Sequence, residues 1–100
     1  MLTLPIKKKW FDMIKSGEKK EEYREIKPYY TSRFVYFDEI LNEPFIKGCM
    51  NIIFRNGYSK NSPSIKCLVN IDIKTGREEW GAEPGKEYYV LKILSVEELC

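Results

Sequence analysis

The run from Ile65 to Lys74 constrains this chain most. Ile65, Cys67, Val69, Ile71 and Ile73 alternate with Lys66, Leu68, Asn70, Asp72 and Lys74, and Thr75-Gly76 ends the run. Successive side chains on a strand point to opposite faces, so a two-residue period marks a strand with one covered face. Cys49 to Phe54 reads as a second strand, with Asn56-Gly57 behind it as a tight-turn signal. Tyr88 to Leu94 is apolar enough to be a strand buried on both faces. These three segments follow one another through turns and loops, which predicts antiparallel pairing.

Upstream, Leu2 to Ile6 is a short apolar strand. Lys7 to Ser16 has a helical stripe of Ile6, Trp10, Met13 and Ile14, with Lys8, Lys9, Asp12 and Lys15 facing away. Gly17 stands where a helix C-cap glycine belongs. Lys20 to Lys27 is mostly polar, a strand with one wet face, and Pro28 closes it. Tyr29 to Leu41 places Tyr30, Phe34, Phe37 and Leu41 at spacings of four, three and four, predicting a second helix capped by Thr31 or Ser32. The expected fold is mainly β within the α+β class: a small barrel of five to six strands with two flanking helices. Closure into a barrel removes exposed sheet edges, which a chain this small could hardly protect.

The 100 residues read as one domain, 1–100, without linker or repeat. Hydrophobic residues make up 43% and charged residues 32%, a soluble balance. No stretch approaches the roughly 18 apolar residues of a membrane span. Three lysines follow the first apolar residues, the reverse of a secretion signal, so a cytoplasmic protein is expected. Cys49, Cys67 and Cys100 are widely spaced and histidine is absent, which argues against zinc. No metal or cofactor is expected, and Cys67 reads as a small buried hydrophobe. Without histidine, any catalysis must use Lys, Glu, Asp, Tyr, Thr or Cys. The expected state is a monomer or weak dimer.

Residues 1–33 hold nine Lys or Arg against five Asp or Glu, whereas 34–100 hold eight against ten. A basic first third suits an anionic partner such as nucleic acid, and equally a hydrated lysine surface. Within it, Gly17-Glu18-Lys19-Lys20-Glu21-Glu22-Tyr23-Arg24 gathers acid, amine and guanidinium between a helix and a strand. Glu22 and Arg24 are two apart, so a strand projects them to one face.

Gly17, Lys19, Glu22 and Arg24 form a G-x-K-x-x-E-x-R pattern that resembles the ASCH domain family, whose fold is similar to that of PUA domains. Trp80-Gly81-Ala82-Glu83-Pro84-Gly85 and Tyr88-Tyr89-Val90-Leu91-Lys92-Ile93 also look like that family's closing loop and strand. The likeness spans nearly the whole chain. It implies a PUA-like barrel with a cleft between barrel and helix, lined by the motif, that takes RNA or a modified nucleoside or nucleotide. Some ASCH members resemble amidohydrolases that deacylate a modified cytidine with the motif lysine as base. Those carry threonine where this chain has Glu22, a departure that places hydrolysis behind binding.

Chemically, Lys19 can serve as a base if desolvation or a neighbouring cation lowers its pKa, as an anion-binding charge if Glu22 pairs with it, or as one half of a purely structural salt bridge. Glu22 can accept from a base N–H, act as a general acid/base, or hold Arg24. Arg24 offers phosphate a bidentate fork. Lys27, Tyr29, Tyr30 and Arg33 alternate basic and aromatic character, as single-stranded nucleic acid requires, or form a wet rim around a helix core. Trp80 can stack on a base or plug the barrel end. Glu79 is the candidate for a second carboxylate in the cleft. The leading expectation is an RNA- or nucleotide-binding domain that takes a single base. The alternatives are a hydrolase using Lys19 and Glu22 (an amidohydrolase or ribonuclease) and a protein-interaction module.

Overall fold

The alternating run forms the sheet's middle strand. In the computed structural model, which describes residues 1–99, the chain runs β1 (Leu2–Pro5), α1 (Lys8–Ser16), β2 (Glu21–Arg24), α2 (Pro28–Phe34), β3 (Val35–Asp38), β4 (Glu43–Ile46), β5 (Cys49–Arg55), β6 (Ser64–Thr75) and β7 (Glu87–Leu99). A single 3-10 turn, Glu78–Trp80, precedes β7. Cys100 lies outside the described residues. Five strands form one sheet in the order β1-β5-β6-β7-β2, and β3 and β4 form a separate hairpin. Only β1–β5 is parallel; the other ladders are antiparallel. The large sheet curls into a half-barrel, so the architecture is mainly sheet with two helices. An irregularity at Leu68/Val69 interrupts the long β6–β7 ladder, as a bulge does where a strand must bend.

Ile65, Cys67, Val69 and Ile71 turn the covered face of β6 inward against Leu4, Ile52, Phe54, Tyr89 and Leu91. Phe11 and Ile14 of α1 and Phe34 of α2 complete this core. Fully burying Phe34 stabilises the fold by roughly 2–3 kcal/mol. The α1 stripe is centred on Phe11 and Ile14, while Trp10 and Met13 flank it half-buried. Gly17 ends α1 at φ 85°, its N–H donating to the Ile14 carbonyl at 3.1 Å. That left-handed conformation carries no steric cost for glycine.

Three local expectations are corrected. The second helix stops at Phe34 rather than Leu41, because Val35-Tyr36-Phe37 pairs with Pro44-Phe45-Ile46 as a hairpin. Lys27 occupies the N-cap position and Pro28 the first turn, where its missing N–H is harmless, so neither Thr31 nor Ser32 caps the helix. The connection after Asn56-Gly57 is not a two-residue turn. It runs from 56 to 63 and closes with the Asn56 N–H on the Pro63 carbonyl at 2.9 Å. Cys67 is fully buried and its thiol pKa is pushed up to about 12 by that burial, whereas Cys49 is exposed. No described helix is long and apolar enough to cross a membrane.

Candidate functional site

Gly17 turns the chain sharply off α1, and the next residues are pinned from both sides. The Lys19 N–H donates to the Met13 carbonyl, and the Lys20 carbonyl accepts from the Ile93 N–H, both at 2.9 Å. This anchorage sends the Lys19 side chain inward, where it is 1% exposed. Its Nζ donates to Glu22 Oε1 at 2.7 Å and to the Trp80 carbonyl at 3.0 Å. Glu22 is itself 5% exposed. Arg24, two residues along β2 and on the same face, donates from Nη2 to Glu22 Oε2 at 2.8 Å. The same nitrogen reaches the Pro5 carbonyl at 3.0 Å, and Nη1 donates to the Tyr30 hydroxyl at 3.2 Å. Arg24 thus bridges β2 and β1, the two outer strands of the open sheet.

One carboxylate here serves two cations, so the buried cluster carries one excess positive charge. A buried charge needs a partner or a dipole to offset lost hydration. Arg24 Nε is buried and has no hydrogen-bond partner. A donor in that condition is costly unless an acceptor arrives. Burial holds the Lys19 pKa below its ordinary 10.5, Glu22 works in the opposite direction, and Arg24 and Lys9 add to the lowering. Trp10 also lies beneath the amine, its ring centroid 4.2 Å from Nζ.

The cluster forms the floor of a recess of about 670 Å³. Trp10, Tyr23, Tyr30, Tyr58, Trp80 and Tyr88 provide its aromatic walls. Its charged groups are Lys7, Lys19, Arg24, Lys27 and Lys86 against Glu22, Glu25 and Glu83, an excess of cations. Gly81, at φ 99°, lies so close to Trp10 that a Cβ would approach the indole to 3.0 Å. The closing loop and α1 therefore meet at one wall. Tyr23 is positioned by its hydroxyl, which accepts from the Arg77 N–H at 2.9 Å and donates to Glu21 at 2.8 Å. Burial, with help from Glu21, raises its pKa far above the ordinary value, so it stays a neutral phenol.

Of the residues singled out in the sequence, Lys19, Glu22, Arg24, Lys27 and Trp80 line the recess. Gly17 shapes the turn behind it. Tyr29 and Arg33 do not line it: they stack on each other at 3.7 Å along α2, with Tyr29 46% exposed. Glu79 is also outside, exposed and 3.8 Å from Arg77. The acidic residue of the closing loop that lines the recess is Glu83, whose N–H donates to the Tyr88 hydroxyl at 3.0 Å. Sequence reasoning missed Glu83 because an irregular loop has no period to say which way a side chain points. It missed Trp10 as a wall because its spacing also fits a core stripe. Among the described residues, no three His, Cys, Asp or Glu gather as a metal-holding group. No protein-family profile, curated protein or solved structure matches the chain.

Proposed function

We propose that this chain is an RNA- or nucleotide-binding domain of PUA-like, ASCH type, and that the recess takes a single base or nucleotide. The observation that carries this reading is the buried Lys19–Glu22–Arg24 cluster, with its surplus positive charge, at the floor of an aromatic-walled recess. Aromatic rings offer stacking surfaces to any base. Arg24 and Lys27 supply donors to a phosphate or base carbonyl, and Glu22 has lone pairs left for a base N–H. The G-x-K-x-x-E-x-R resemblance supports the same reading.

Hydrolysis of an acylated cytidine is the second reading, favoured by the lowered pKa of Lys19. A lysine base must be neutral, however, and Glu22 at 2.7 Å favours the ammonium. Binding therefore ranks first. Both tryptophans of the chain line the recess, which makes intrinsic fluorescence a local reporter. Unmodified and acylated nucleosides, nucleotides and short RNAs should be titrated into wild type and Lys19→Ala, with product scored in parallel. Saturable quenching without product, weakened in Lys19→Ala, is the expected result. Product that disappears in Lys19→Ala would transfer the assignment to the hydrolase, and no quenching by any compound would end the binding reading.

A further inference from the structure

A second hollow, of about 390 Å³, lies where β5 passes into the 56–63 loop. Arg55, Lys60, Asn61, Ser62 and Ser64 supply its polar lining, and among the described residues no Asp or Glu lines it. Arg55 Nε is buried without any hydrogen-bond partner. Apart from Arg24 Nε, it is the buried side-chain polar atom left in that state among the described residues. Unsatisfied buried donors are rare and call for a physical explanation. A guanidinium edge whose donor faces no acceptor, beside an ammonium and three hydrogen-bonding side chains, matches an oxyanion with several acceptor oxygens.

The loop connects this hollow to the first recess. Asn56, Gly57 and Tyr58 line the recess, and Lys60 to Ser62 line the hollow. The strand register tightens the link. Arg55 pairs with Pro5, whose carbonyl receives Arg24, and the Arg55 carbonyl accepts from the Ile6 N–H at 2.9 Å. The ends of β1 and β5 therefore lie beside both orphaned guanidinium donors, Arg24 over Phe54 on the covered face and Arg55 with Ile53 on the opposite face.

We propose that the Arg55–Lys60 hollow is an anion site for a backbone phosphate adjoining the nucleotide in the recess, making the ligand a single-stranded oligonucleotide rather than a free nucleoside. This extension rests on the nucleotide reading of the recess. The phosphate contact itself is independent of sequence and sets register, while the recess reads the base.

The test uses the whole chain, with UMP, a seven-nucleotide single-stranded RNA and inorganic phosphate as probes. Affinities are measured across a salt series for wild type, Lys60→Gln and Arg55→Gln/Lys60→Gln. The wild type should bind the oligonucleotide at least about 10-fold more tightly than UMP. The double variant should lose most of that advantage, and its slope of log affinity on log salt should fall by about 0.7, the value for one phosphate neutralised on a single strand. Its UMP affinity should be unchanged. Lys60→Gln, on the exposed loop and free of folding consequences, should show about half the slope change. In a separate arm, inorganic phosphate should shift the Arg55 Nε–H resonance of the wild type. A motionless Arg55 signal at millimolar phosphate, or an oligonucleotide slope identical in all three proteins, overturns the proposal. If phosphate moves Arg55 while no nucleotide binds, the anion site stands and the reading of the recess fails.

Discussion

Leu91 and Glu22 face each other across the β2–β7 ladder, and both are withdrawn from water. Leu91 joins an apolar core in which shape and area account for everything it contacts. Glu22 joins a charged cluster that the same face of the same sheet also buries. Two pairs along, and so on the same face, Tyr89 and Arg24 repeat the contrast. The difference shows that burial alone does not separate what holds this fold together from what it is proposed to do. An apolar residue gains by leaving water, whereas an ion pair at best recovers its lost hydration. A cluster that stabilises so little needs another reason to exist, and the proposed nucleotide binding would supply one.

The largest effect should come from cutting the charged cluster in half. Glu22→Leu leaves Lys19 and Arg24 buried without a counter-charge and should cost about 3–5 kcal/mol in a denaturant titration. Leu91→Ala, directly opposite, should cost about 3 kcal/mol through lost contacts and a cavity. Replacing the whole cluster, as Lys19→Met/Glu22→Leu/Arg24→Met, should instead leave stability within about 1 kcal/mol of wild type or above it, with nucleotide binding abolished. A triple variant as unstable as Glu22→Leu would mean that the cluster is structural after all.

Alkaline pH sharpens the same contrast from the core side. The Cys67 thiol titrates near 12 when folded against 9.0 ordinarily, so the unfolded chain releases its proton first as pH rises. Stability is therefore intact below pH 9 and is lost above it. Wild type should lose about 2 kcal/mol more than Cys67→Val between pH 8 and 10.5, read from urea midpoints at each pH. Equal slopes would remove Cys67 from the account. A smaller effect is expected at the junction of the two regions. Gly81→Ala places a Cβ at φ 99° against the Trp10 ring and should cost about 1–2 kcal/mol, with a shift in tryptophan emission.

What was legible in the sequence was what local physics dictates. The alternation of β6 and the glycine cap of α1 each follow from a single period or a single φ. So does the shared face of Glu22 and Arg24, which two-residue spacing guarantees on any strand. The β3–β4 hairpin was hidden because Tyr30, Phe34, Phe37 and Leu41 happen to fall at helical spacing while Val35 to Phe37 favour a strand. Tertiary pairing with Glu43–Ile46 decided between them. Glu83 and Arg55 were illegible for a different reason. Their positions are set by loop closure and by a strand register that brings distant residues to one corner, and neither leaves a periodic trace.

The most direct measurement follows the Arg24 guanidinium and the Trp10 and Trp80 indole N–H signals by NMR during titration with a mononucleotide. Filling the recess should give Arg24 Nε its missing acceptor, so that its signal and both indole signals move together and saturate. Movement confined to exposed lysines such as Lys8, with Arg24 and both indoles unmoved at millimolar nucleotide, would contradict the account.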